Sequence, residues 1–157
     1  MKKLTIRAIG SLQETWHPQA IHMYTQRLRP FAQIDIIELP EGHQGSAKPN
    51  IPKTQVTEGQ SLLKGIPKDA TVILLDELGK EYTSPQFATQ LETWSEGGRQ
   101  IVFLIGGSWG VSDEVRKQAN AIVSFGKMTL PHALARIVLM EQIYRGMMIG
   151  SGKVYQK

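Results

Sequence analysis

The order of apolar segments along the chain predicts an α/β domain with a mostly parallel sheet covered by helices on both faces. Three observations carry this. TVILL (Thr71 to Leu75) and IVFLI (Ile101 to Ile105) are continuous apolar runs bounded by turn formers, the composition of strands buried on both sides. Segments with helical start and stop signals alternate with these and the other strand-like runs. A chain of 157 residues, 41% of them hydrophobic, suffices for one well-cored domain over residues 1–157 and is too short for two ordinary ones.

Each element has a local justification. Leu4, Ile6 and Ala8 alternate with Thr5 and Arg7, the period of a strand with unlike faces. Pro18 can open a helix that carries Ile21, Tyr24 and Leu28 on one side and ends near Pro30. IDIIEL, Ile34 to Leu39, reads as a second strand. PEGHQGSAKPNIPK, Pro40 to Lys53, is rich in turn formers and reads as a mobile loop. A helix is expected from about Thr54 to Lys64, weakened by Gly59. After TVILL comes the loop DELGK. Ser84 and Pro85 are then expected as N-cap and first-turn residue of a helix closed by Gly97 and Gly98. IVFLI runs into GGSWGVS, and Ser112 caps a short helix whose first turn holds Asp113 and Glu114, as the helix dipole favours. AIVSF is a fifth strand. In KMTLPHALAR, Pro131 is at home in a first helical turn and pushes Leu130 toward extended geometry, so a stiff loop leads abruptly into the last helix, Ala133 to Ile149.

Composition narrows the partners only slightly. Lys and Arg number 18 against 14 Asp and Glu, for a net charge of +4 and a pI near 9.4, which suits a polyanion such as RNA but equally suits solubility. With no cysteine there are no disulfides or thiolate metal sites, and a cytosolic setting is expected. No apolar stretch approaches a bilayer span, and the opening MKKLTIRAIG breaks its apolar run at Arg7, so neither membrane insertion nor export is expected.

Ligands of such sheets bind beyond the carboxyl ends of the strands. DELGK, GGSWG and FGKMTLPH are the loops placed there, and Gly106, Gly107, Gly110 and Gly126 either admit a ligand to backbone or form tight turns. GGSWG lacks the spacing of a dinucleotide fingerprint. On the final helix Glu141, Gln142 and Arg145 share one side, while Met140, Met147 and Met148 belong to a core or subunit interface. His132 and Arg136, four apart on the side away from Arg145, are either satisfied by backbone carbonyls or line a pocket. Glu141 and Arg145 have the spacing of a helix-surface ion pair. The tail from Lys153 reads as frayed, and Trp16 and Trp109 as core or stacking residues.

LLDELGK, FLIGGSWGVS and SFGKMTLPHALARIVLMEQIYRG, followed by a short tail with a tyrosine, together strongly resemble the bacterial RlmH family of ribosomal RNA methyltransferases. The likeness covers almost the whole chain and is densest from Ile101 to Arg145. It implies a SPOUT-type α/β fold with a C-terminal trefoil knot, a homodimer, and methyl transfer from S-adenosylmethionine to N3 of a pseudouridine in large-subunit 23S ribosomal RNA, with no metal. Matching motifs place the donor on Leu75, Gly107 and the run Phe125, Gly126, Lys127, Met128, Thr129 and Leu130. The resemblance implies that Arg145, supported by Glu141, and Lys157 hold the base or a phosphate, that Tyr155 stacks or hydrogen-bonds, and that His132 accepts a proton or orients. It also implies that one subunit's tail completes the other's site. The chain departs from the family at Gln156, where a histidine is usual, and at Gly146 and Met147, where Ala-Trp is common. Gln156 cannot titrate, so a non-catalytic RNA- or ribosome-binding module and a methylase for a different RNA stand as alternatives.

Overall fold

The computed structural model describes residues 1–43 and 45–155. Among these the chain forms five strands and five α-helices, in the order β1 (Lys2–Ile9), α1 (Trp16–Leu28), β2 (Ala32–Leu39), α2 (Ile51–Leu63), β3 (Thr71–Glu81), α3 (Ser84–Trp94), β4 (Ile101–Ile105), α4 (Asp113–Gln118), β5 (Ala121–Ser124) and α5 (His132–Gly150). The strands lie in the order β2-β1-β4-β3-β5, and every pairing is parallel.

Side-chain alternation divides the core in two. Leu4, Ile6, Ile73, Ile101, Phe103 and Ile105 point to one face, where they meet Ile21 and Leu28 of α1, Phe87, Leu91 and Trp94 of α3, and Leu139, Met140, Ile143 and Met147 of α5. Ile9, Val72, Leu74, Val102 and Leu104 point to the other, under Leu62 of α2 and Val115 of α4. The sheet is therefore covered on both faces, as its unbroken apolar runs require. Trp94 anchors the larger cluster, edge-on to Tyr82, Phe87 and Phe103 at centroid separations of 6.3, 5.8 and 6.3 Å.

Several boundaries differ from expectation. α2 starts at Ile51 because Asn50 accepts a hydrogen bond from the Lys53 amide at 3.0 Å and Pro52 lies in the first turn, so the turn-rich segment ends in a capping signal. Gly59, expected to weaken α2, lets it pack close to the start of α4: a Cβ there would stand 2.6 Å from Ser112 Oγ. Thr83, not Ser84, caps α3, in a reciprocal capping box with Gln86. Pro131 is the N-cap of α5, not a residue of its first turn. Trp16 and Trp109 are both partly exposed, at 47% and 38%, and neither is core.

The largest difference is in β3. DELGK is no open loop: after Leu75 pairs with Val123, the strand bulges through Asp76 to Gly79 and rejoins β5, with Lys80 opposite Val123 and Glu81 opposite Ser124. Gly79 lies so near β5 that a Cβ would approach the Ile122 carbonyl to 2.7 Å. The other end of this pairing is fixed by Asn120, whose side chain accepts from the Val72 amide at 2.7 Å while its own amide donates to the Val72 carbonyl at 2.7 Å. Among the described residues no helix is long and apolar enough to cross a membrane.

Candidate functional site

The carboxyl ends of β3, β4 and β5 open into one cleft of about 680 Å³. One wall is the β3 bulge with Leu75, Asp76 and Glu77; the floor is Ile105 to Gly107; the opposite wall is Phe125, Gly126 and Met128 to His132, closed by Ala135 of α5. The three loops grouped by sheet geometry thus converge. Of the eight residues expected at a donor, Leu75, Gly107, Phe125, Gly126, Met128, Thr129 and Leu130 line the cleft, whereas Lys127 is exposed and does not.

Hydrogen bonds hold the walls. Ser124 Oγ donates toward the Glu77 carbonyl at 3.1 Å and accepts from the Gly126 amide at 3.0 Å, joining the bulge to the β5–α5 loop. Thr129 Oγ1 donates to Glu77 Oε2 at 2.8 Å across the same gap. Asp76 is tied to Arg116 of α4 at 2.8 Å. The β4–α4 loop is supported from below by α2, where Gln55 Nε2 donates to the Trp109 carbonyl at 2.7 Å.

His132 and Arg136 face the same way, but they divide the two readings between them. Arg136 is only 1% exposed and donates to the Gly10 carbonyl at 3.3 Å, with Glu38 3.4 Å away, so it is a structural tie between α5 and the ends of β1 and β2. His132 lines the cleft, its ring against Gly10. Its buried Nδ1 has no hydrogen-bond partner, and burial, reinforced by the charge of Arg136, holds the imidazole below its ordinary pKa of 6.5. At neutral pH it is an uncharged base.

The other expected catalytic groups lie elsewhere. Arg145 is about 20 Å along α5 from His132, at about 1.5 Å per residue. Its guanidinium grips Glu141, with Nη2 to Oε1 at 2.7 Å and Nε to Oε1 at 3.1 Å, and lies over the Tyr155 ring at 4.3 Å. The hydrogen bond to Glu141 raises the Arg145 pKa above its already high ordinary value. Gln142 donates to Glu141 at 2.8 Å and accepts from Ser84 at 2.8 Å, extending the polar chain toward α3. The ion-pair reading of Glu141 and Arg145 is thus realised, with a tyrosine stacked on it. Lys157 and Gln156 lie outside the described residues.

One group at the cleft had no signal in the sequence. Glu58 of α2 is 2% exposed, and its carboxyl group fills the space that a Gly107 side chain would take. A lone glutamate on an otherwise unremarkable helix gives no hint of this; only the packing of α2 beneath the β4–α4 loop reveals it.

An all-parallel α/β domain with a cleft at three strand ends, walled by glycine-rich backbone and holding a neutral histidine, is the class of domain that binds small molecules in the crevice beyond its strands. The family model described as "Predicted SPOUT methyltransferase" matches residues 2–156. The chain belongs to that family, a class of methyltransferases that use S-adenosylmethionine. The cleft suits such a donor: its volume falls in the range of small-molecule sites, and Gly126, at φ +124°, has no atom within 4 Å of where a Cβ would lie, leaving backbone open to a ligand. Among the described residues, no group of three or more His, Asp or Glu could hold a metal ion.

Proposed function

We propose that this methyltransferase acts as a cytoplasmic homodimer on N3 of a pseudouridine in 23S ribosomal RNA, within the ribosome. The trefoil knot implied by the RlmH resemblance belongs to the same reading. The observation that carries it is the division of labour along α5: the donor cleft and His132 lie at its start, while Arg145, Glu141 and Tyr155 sit about 20 Å away. Within one chain the two groups do not meet, so Arg145 and Tyr155 reach a target base only at the cleft of a second copy.

The donor, when bound, supplies an electrophilic methyl group on a sulfonium. Leu75, Gly107 and backbone from Phe125 to Leu130 would hold it. The ring nitrogen must lose its imide proton before it attacks, and neutral His132, which lines the donor cleft, is the group placed to take that proton or to orient the base. Arg145, kept charged and oriented by Glu141, stabilises the anionic base or a flanking phosphate, and Tyr155 offers a face for stacking. Positioning and charge stabilisation then supply most of the rate.

Two measurements test this. Ala135→Leu fills the cleft from a helix that tolerates leucine; it is expected to weaken S-adenosylmethionine binding at least tenfold with little change in unfolding. Ribosomes from a strain lacking the gene should accept one methyl group, mapping to a pseudouridine in the large subunit. Incorporation at a different nucleotide identifies another RNA as substrate. Donor binding without incorporation into any RNA refutes the catalytic reading, and ribosome binding without donor affinity favours a non-catalytic module, as Gln156 would allow.

A further inference from the structure

Glu58 is the buried ionisable group for which the site as described has no use. Its Oε2 accepts from the Gly42 amide at 2.9 Å, and its Oε1 is buried with no partner. Among the described residues no lysine or arginine pairs with it; the ion pairs formed there are Lys2–Glu92, Arg116–Asp76, Arg136–Glu38, Arg145–Glu141 and the His43–Glu41 contact. An unpaired carboxyl group at 2% exposure is costly, and an amide or apolar side chain could fill the same space without that cost.

Its position supplies a reason. A Cβ on Gly107 would stand 2.9 Å from Glu58 Oε1 and 3.0 Å from Oε2, so the carboxyl group is in contact with the underside of the cleft floor. The adjoining residues of α2 serve the same loop: Gln55 holds the Trp109 carbonyl, and Gly59 admits Ser112. α2 is therefore a bracket for the β4–α4 loop, and of Gln55, Glu58 and Gly59, which serve that loop, Glu58 is the ionisable one.

We infer that Glu58 is a positioning residue for the methyl donor: acting through Gly107, it fixes the cleft floor and places a negative charge behind it that favours a sulfonium over the uncharged thioether left after transfer. This rests on the methyl-donor reading of the cleft. Donor and product differ by a methyl group and a unit of positive charge, so a fixed anion near the floor acts on their ratio of affinities, whereas shape alone distinguishes them weakly. Burial raises the Glu58 pKa, opposed by the Gly42 amide and by His43, and Glu41 raises it further. The preference for donor is thus present at higher pH and lost as pH falls through that raised value. Glu41 and His43 face Glu58 from the turn after β2, Ile9 of β1 and Gly107 bring no charge, and Asp76, Glu77 and His132 lie around the cleft beyond Gly107.

The test is calorimetric titration of the full chain with S-adenosylmethionine and with S-adenosylhomocysteine from pH 5 to pH 8, for wild type and Glu58→Gln. Wild type is expected to favour the sulfonium compound increasingly toward pH 8, and the variant to lose about fivefold or more of that preference and its pH dependence. An unchanged ratio in folded Glu58→Gln overturns the inference while leaving the donor reading intact. If the variant fails to fold, the profile of His132→Gln, which removes the other group of the cleft that titrates in this range, decides: a ratio flat across the range overturns the inference, and one that still rises with pH supports it. Binding of neither compound to wild type overturns the donor reading and this inference together.

Discussion

Substituting Gly107 by alanine distinguishes two reasons for a glycine at the cleft floor: room for a ligand, and room for the protein's own Glu58. The new Cβ would lie 2.9 and 3.0 Å from the two Glu58 oxygens and 3.0 Å from Ile9 Cγ2, all short of the 3.4 Å at which ordinary contact begins. Gly107 does not have a positive φ, so alanine adds no backbone strain. Glu58 cannot swing away freely, because it is buried and holds the Gly42 amide, and Ile9 is fixed at 0% exposure. Overpacking of this kind costs about 1–3 kcal/mol. In a Glu58→Ala background most of the crowding is gone, and Gly107→Ala is expected to cost less than about 1 kcal/mol, leaving a coupling of about 1–2 kcal/mol between the two positions. Urea unfolding of wild type, both single variants and the double variant measures this directly. Costs that add to within about 0.5 kcal/mol would refute the account, and would mean that Glu58 does not shape the floor.

Other outcomes follow from the same geometry. Asn120→Ala strands the Val72 amide and should destabilise the chain by about 1–3 kcal/mol in the same assay, whereas Asn120→Asp, which keeps the acceptor, should cost less. His132 has a folded-state pKa below its unfolded value of 6.5, so it binds fewer protons folded than unfolded; its contribution to stability is full above about pH 6.5 and declines as pH falls. His132→Gln should flatten that limb of a stability–pH curve measured between pH 5 and 7.5. Arg145→Lys replaces a two-pronged grip on Glu141 by a point charge and is expected to lower methyl transfer at least tenfold while leaving the affinity for S-adenosylmethionine within twofold of wild type, as read by single-turnover assay and titration.

How far the sequence could be read depended on whether a residue's role was local. β4 was legible to the residue because IVFLI has no polar interruption, and α4 because Ser112, Asp113 and Glu114 act on their own helix end. The continuation of β3 was not legible: Asp76, Glu77, Gly79 and Lys80 are poor strand formers, and the strand resumes because Lys80 and Glu81 pair with β5, remote in sequence. The rule that ligands lie beyond strand carboxyl ends grouped the three loops that do converge on one cleft, whereas the eight donor-contact candidates came from the motif resemblance, and seven of them line that cleft. Helical periodicity set His132 and Arg145 on different sides of α5, but could not say that Arg136 would be spent on the Gly10 carbonyl. Glu58 escaped because its importance comes from what α2 is packed against.

The detour in β3 bears on how readily the pocket accepts a guest. Asp76 to Gly79 bulge out and return to the same neighbouring strand, so both footings of that wall are held by backbone pairing with β5. A visitor therefore meets a surface already in its final shape on that side, and little of its binding strength is consumed in organising it. Adjustment falls instead to the facing segment from Met128 to Leu130, whose side chains are exposed to solvent.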